Sequence, residues 1–140
     1  MGVVNTAGLG AIQLHGEETP AFARQLKANL NLPVIKAFRI SEDFNPECVL
    51  EFEVDAILLD AYSPNGRGGT GETFDWEIAR EVRKIFPKMY LAGGISPKNV
   101  RSAIIEVNPF AVDACSSLES SPGKKDAGIL RQFMAEAKRK

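Results

Sequence analysis

Five short apolar runs, each followed by a polar turn and then by residues at helical spacing, limit what this chain can fold into. The runs occupy residues 11–15, 33–38, 55–60, 89–92 and 110–115. They are continuous rather than alternating, which is the pattern of strands covered on both faces. Their starts lie roughly 20–35 residues apart, the spacing of βα units in a parallel sheet. The intervening segments carry helix signals. Thr19 reads as an N-cap with Pro20 at the first helical position, and Phe22, Ala23, Leu26 and Leu30 share one face. Ser41 opens a helix over 42–51, although Pro46 opposes it. A loop with Gly66, Gly68, Gly69 and Gly71 leads to a helix that starts at Phe74-Asp75-Trp76. That helix carries Ile78, Ala79, Val82, Ile85 and Phe86, and ends near Pro87. Ser96 and Pro97 supply a cap and first-turn proline for a helix striped by Val100, Ala103, Ile104 and Val107. A polar loop from Ser116 to Lys124 precedes a last helix, with Ile129, Leu130, Phe133, Met134 and Ala137 facing inward. The expectation is a parallel α/β fold of five strands alternating with five helices.

A chain of 140 residues is long enough for one domain and short for two. The formal net charge is −1 and the basic residues are scattered, except for Lys138-Arg139-Lys140, so nucleic acid and membrane surfaces are not expected partners. No run approaches the roughly 18 apolar residues of a spanning helix. The first 14 residues have neither a basic segment nor a long apolar one, and are not read as a secretory signal. Cys48 and Cys115 have no CxxC spacing and read as reduced thiols of a cytoplasmic protein. The single histidine and scattered acids offer no metal cluster, so no metal is expected.

Chemistry concentrates at the carboxyl ends of the runs, where active sites of parallel α/β proteins sit. Asp60 ends the third run and reads either as a general acid or base, or as a carboxylate that caps the loop or binds Arg67. Gly93-Gly94-Ile95 and Cys115-Ser116-Ser117 follow the last two runs. The glycines leave backbone N–H groups open to an anion, and the serine hydroxyls donate to the same anion. His15 closes the first run and reads either as a structural group or as a member of the same rim as Asp60. Asp113 and Lys36 lie inside apolar runs, where each needs either the polar site or a partner.

The order of these motifs resembles the phosphoribosylanthranilate isomerase family of tryptophan biosynthesis. Gln13-Leu14-His15-Gly16-Glu17-Glu18 resembles its fourth strand and exit, and Val34-Ile35-Lys36-Ala37 its fifth. Leu58-Leu59-Asp60, with Gly68-Gly69-Thr70-Gly71 and Thr73-Phe74-Asp75-Trp76, resembles the sixth unit. The segment from Leu91 through Gly93-Gly94 to Val100 resembles the seventh. Pro109 to Glu119, with Pro122 to Asp126, resembles the eighth.

The resemblance implies units four to eight of a (βα)8 TIM-type barrel, an incomplete barrel, forming one partial domain over 1–140. It also implies an Amadori rearrangement of a small-molecule phosphosugar without a cofactor. Asp60 matches the acid at the furanose ring oxygen, and Gly93, Gly94, Ser116, Ser117, His15 and Asp113 form the substrate- and phosphate-binding set. The family's strand-one Lys/Cys-Gly-Ile-Thr-type segment, which carries the base, has no counterpart here, nor has the arginine that helps hold the anthranilate ring. Where the family shows Asp-Val-Ser-Ser-Gly-Val-Glu, this chain has Asp113-Ala114-Cys115-Ser116-Ser117-Leu118-Glu119. A serine at 117 would weaken phosphate binding if that position needed φ > 0 or a close approach of the backbone.

Two alternatives stand beside the isomerase. One is a catalytically incompetent phosphosugar-binding fragment that forms a homo-oligomer or needs a complementing N-terminal segment. The other is a related phosphate-binding barrel such as indole-glycerol-phosphate synthase, against which Thr73 to Trp76 and Gln13 to Gly16 speak.

Overall fold

The computed structural model describes residues 6–41, 43–60 and 76–139. The glycine loop and the expected helix start at Phe74-Asp75 lie outside them. Five parallel strands form the sheet: β1 (Ile12–Leu14), β2 (Val34–Arg39), β3 (Ala56–Asp60), β4 (Met89–Ala92) and β5 (Ala111–Val112). They are ordered β1-β2-β3-β4-β5 in space, each beside its sequence neighbour. There is no reversal of the kind that marks a doubly wound sheet, so all crossovers lie on one side, as barrel staves require.

Helices α1 (Pro20–Asn29), α2 (Glu77–Ile85), α3 (Val100–Val107) and α4 (Ala127–Lys138) cover that side. Register shows how the faces divide. Leu14, Lys36, Ile57 and Met89 align across four strands, and Phe38, Leu59, Leu91 and Val112 align in the next row that points the same way. Together with Ala79, Val82, Val100 and Phe133 these rows build the main core between sheet and helices. Ala37, Leu58 and Ala92 point the other way and form a smaller cluster with Ile35 and Tyr90. The Tyr90 ring stacks on Phe110, centroids 5.7 Å apart, and Phe110 is exposed.

Thr19 caps α1 as expected, its hydroxyl accepting from the Phe22 N–H at 3.2 Å. Asp126 caps α4 through the N–H groups of Gly128 and Ile129. Elsewhere the structure corrects the sequence expectations. The expected helix over 42–51 is a 3-10 helix, Pro46–Glu51. Pro46 has no N–H for an α-helical ladder, and Asn45 starts the turn by accepting from the Glu47 N–H at 3.0 Å. Asn99, not Ser96, occupies the cap position of α3; Ser96 to Asn99 form a preceding turn in which Asn99 Oδ1 accepts the Ser96 N–H at 2.8 Å.

The expected fifth strand over 110–115 shrinks to two residues, because after Asp113 N–H bonds to the Leu91 carbonyl the chain leaves the ladder. The expected polar loop over 116–124 contains a 3-10 turn (Ser116–Leu118) and a ribbon of β6 (Glu119–Ser121) and β7 (Lys124–Lys125), turned at Gly123 with φ 78°. Phe22, Leu130 and Met134, read as inward-facing, are exposed. Each helix buries one narrow row against the sheet, Ala23 in α1 and Phe133 in α4.

Candidate active site

The carboxyl ends of the strands open into a cleft of about 270 Å³. Period-two alternation places Gln13 and His15 from β1 and its exit, and Leu58 and Asp60 from β3, on the cleft side of the sheet. Beyond β4, Ala92, Gly93, Gly94 and Ile95 line the cleft. Beyond β5, Asp113 to Ser117 close it. All seven residues singled out from sequence, Asp60, His15, Gly93, Gly94, Asp113, Ser116 and Ser117, therefore border one space.

Asp60 lies at the floor, its side chain 22% exposed. His15 Nε2 reaches over from β1 to 3.5 Å from Asp60 Oδ2. The strand between them presents Ala37 to this face, with Arg39 two residues on in register with Asp60. Arg67, the other candidate partner of Asp60, lies outside the described residues.

The two turns on the far wall are built differently. Gly93 and Gly94 have φ of 79° and 68°, in the left-handed region where a side chain is strained. Their backbone thus faces the cleft without side chains over it. The Asn99 side chain holds this turn from behind, donating to the Gly94 carbonyl at 3.1 Å. Ser116 and Ser117 sit in the 3-10 turn instead, and among the described residues Asn108 alone combines a side chain with positive φ. The expectation that Ser117 could need φ > 0 is therefore corrected: serine fits this backbone. Its hydroxyl donates to the Ile95 carbonyl at 2.5 Å and ties the second turn to the first.

The rim past Ser117 is charged. Lys125 donates to a Glu119 carboxylate oxygen and to the Cys115 carbonyl at 3.1 Å, and lies 3.3 Å from Cys115 Sγ. The hydrogen bond from Lys125 holds the Glu119 carboxyl below its ordinary range. The same bond pushes the Lys125 ammonium up.

Lys36, left open between site and partner, faces away from the cleft and pairs with Glu18 at 2.9 Å. Asp113, left open in the same way, is in the cleft. Gln13, which enters the sequence reading only as part of the Gln13-Leu14-His15-Gly16 motif, shares the His15 face two residues earlier. Period two from His15 was the signal that could have found it. Among the described residues no three His, Cys, Asp or Glu side chains gather as a metal site. No helix among them is long and apolar enough to cross a membrane.

The sequence model of N-(5'phosphoribosyl)anthranilate (PRA) isomerase matches residues 2–136. The chain belongs to the PRA isomerase family. A relative named N-(5'-phosphoribosyl)anthranilate isomerase from Trichlorobacter lovleyi is 45% identical over 130 residues, 93% of this chain and 62% of the relative. The crystal structure of phosphoribosyl anthranilate isomerase from Thermotoga maritima superposes with TM-score 0.83 at 42% identity, over 98% of this chain and 65% of that one. Another structure of the isomerase, in complex with reduced 1-(o-carboxyphenylamino)-1-deoxyribulose 5-phosphate, superposes with TM-score 0.79 at 39% identity, over 98% and 63%. This chain thus spans less than two thirds of the length of these three PRA isomerases.

Proposed function

We propose that this chain carries the acid and the phosphate-binding wall of a PRA isomerase, as units four to eight of a (βα)8 barrel within a single domain. The observation that carries the reading is that Asp60 and the two turns, Gly93-Gly94 and Ser116-Ser117, face one another across one cleft at the strand ends. The unreversed strand order supports the barrel assignment. The related isomerase that holds a reduced carboxyphenylamino-deoxyribulose phosphate supports a phosphosugar as the ligand.

In this reading Asp60 gives its proton to the furanose ring oxygen. The bond from that oxygen to C1′ breaks with its electron pair going to oxygen, and the lone pair of the anthranilate nitrogen forms the C1′=N bond. A base then removes the C2′ proton as C1′=C2′ forms and the C1′=N pair returns to nitrogen; loss of the C2′ hydroxyl proton and gain of a proton at C1′ turn this enol into the ketone. Redox is internal, so no cofactor is required. The N–H groups of Gly93, Gly94, Ser116 and Ser117 hold the phosphate, remote binding that orients the sugar C1′–C2′ region against Asp60. His15 and Asp113 complete the polar lining. The base is assigned to the third of the relatives' length that this chain does not span. The protein is placed in the cytoplasm with the other enzymes of amino-acid biosynthesis.

A second reading is a phosphosugar-binding piece with no turnover of its own, which pairs with another copy or with a complementing N-terminal segment. One experiment separates them: loss of phosphoribosylanthranilate fluorescence is followed with the purified chain alone and after addition of the N-terminal portion of a related isomerase. Turnover only after complementation, abolished by Asp60→Asn, supports the proposal. Turnover in the complemented mixture that survives Asp60→Asn overturns it. Turnover by the chain alone, abolished by Asp60→Asn, keeps Asp60 as the acid but overturns the assignment of the base to an outside segment.

A further inference from the structure

Lys36 is the one charged residue buried among the described residues, at 3% exposure. It lies on the helix-facing side of β2, away from the cleft, in register with Leu14 and Ile57. An apolar side chain would fill that row. Burying an ammonium costs several kcal/mol unless its partners are well placed. Here they are, and they converge on one peptide. Lys36 Nζ donates to the Gly16 carbonyl at 2.7 Å and to Glu18 Oε2 at 2.9 Å. Glu18 in turn accepts the Gly16 N–H, at 3.0 Å on Oε2 and 3.2 Å on Oε1. The Phe38 and Phe52 rings stand 5.6 and 5.8 Å from Nζ, so the ammonium also faces π density.

Both polar groups of Gly16 are thus held by one ion pair whose lysine is buried, and Gly16 directly follows His15. A Cβ at position 16 would lie 3.2 Å from Glu18 Oε1, so that carboxylate would have to shift by a few tenths of an ångström to admit it. Leu14, packed in the main core, holds His15 from the other side in sequence. The imidazole emerges from this fixed backbone on the opposite face, with Nε2 3.5 Å from Asp60 Oδ2.

We propose that Lys36 and Glu18 form a positioning clamp that acts through Gly16 to place His15 against the Asp60 carboxylate. His15 then fixes where that carboxylate points, so the acid of the proposed reaction is oriented from the far side of the sheet. Lys36 and Glu18 do not line the cleft; they are positioning residues. The inference rests on the isomerase reading only for the use made of Asp60. The clamp itself is a matter of geometry.

His15 is the chain's single histidine, so its imidazole gives one isolated signal in a carbon–proton NMR spectrum. The test records that signal, and its nuclear Overhauser contact with the Asp60 Cβ protons, in the purified chain. The contact is expected in the unsubstituted protein, and Asp60→Asn is expected to shift the imidazole signal. Lys36→Met is expected to erase the contact and move the signal toward that of a solvent-exposed histidine, while the core methyl signals of Val34 and Leu59 stay in place. Where the single variant leaves Glu18 unpaired and the fold suffers, Lys36→Met with Glu18→Met removes both charges and answers the same question. A folded double variant that retains the contact overturns the clamp, as does an imidazole signal indifferent to Asp60→Asn. The spectra require no turnover, so a failed isomerase assay would count against the isomerase reading and leave the clamp untouched.

Discussion

Two side-chain pairs sit at the carboxyl end of the sheet, one on each face. Lys36 and Glu18 lie on the helix side, with side chains 4% and 25% exposed and a 2.9 Å contact. His15 and Asp60 lie on the cleft side, 41% and 22% exposed and 3.5 Å apart. The first pair has further partners that satisfy it: a carbonyl, an N–H and two aromatic rings. The second has room around it. Strands that alternate faces can thus bury one charge as structure and leave the other, one or two residues away, looser and accessible. In the proposed reading this difference leaves the cleft pair free to meet a substrate, because a fully satisfied group has little to offer one.

Breaking the cleft pair should change activity far more than stability. In the complemented enzyme, Asp60→Asn is expected to lower kcat/KM by about 10²–10⁴-fold, the range for losing a general acid. Its urea midpoint should move little, and a large loss of stability would show that Asp60 is structural. On the other face the order reverses. Glu18→Met strands the more deeply buried Lys36 and is expected to cost about 3 kcal/mol in urea unfolding. The Lys36→Met, Glu18→Met double variant should recover most of that loss, since no unpaired charge remains. Equal losses for single and double variants would mean that the pair is worth only its packing.

The two turns of the far wall allow a finer test. Gly94→Val should cost about 1–3 kcal/mol from its φ of 68° alone, because a Cβ there meets nothing within 4 Å. Ser117→Gly should cost about 1 kcal/mol through loss of the hydrogen bond to the Ile95 carbonyl. If its affinity for inorganic phosphate, measured by calorimetry, is unchanged, the serine hydroxyl is confirmed as a tie between turns rather than a ligand.

Acid supplies the smallest effect. Lys36's hydrogen bond holds Glu18 below its ordinary value of 4.5, and the Val34 N–H holds Asp55 below 3.8. Both folded values lie under the unfolded ones. The stability they contribute is complete above the unfolded values and is lost as pH falls through the folded ones. Melting temperature should therefore stay level from neutrality to about pH 5 and decline below it. In Glu18→Gln that decline should be shallower, and an unchanged acid limb would remove Glu18 from the account.

Much of this was legible in the residues. Continuous apolar runs at β2, β3 and β4 mark covered parallel strands, and Thr19-Pro20 marks the start of α1, because these are local signals. Period two along β1 also carries Gln13 and His15 to one face. Short elements were less legible. The 3-10 helix at Pro46, the ribbon at Glu119–Lys125 and the early end of β5 depend on single caps and one ladder bond, which leave no periodicity to detect. The exposure of Leu130 and Met134 was hidden too, since a stripe shows which residues can face a core and not how much core is there to meet them.

The sequence by itself determined the alternation of strands and helices, the placement of Asp60, the Gly-Gly turn and the serines at strand exits, and through these the family. The tertiary structure alone decided which face each charge took. Lys36 and Asp113 look alike in sequence, each a charge inside an apolar run. Register sends Lys36 to the helix side, where Glu18 meets it, while alternation from Val112, which shares the helix-side row with Leu91, turns Asp113 to the cleft. Contacts between residues 18 and 36, or 15 and 60, join separate βα units. No local pattern encodes them, because their geometry exists only once the strands have paired.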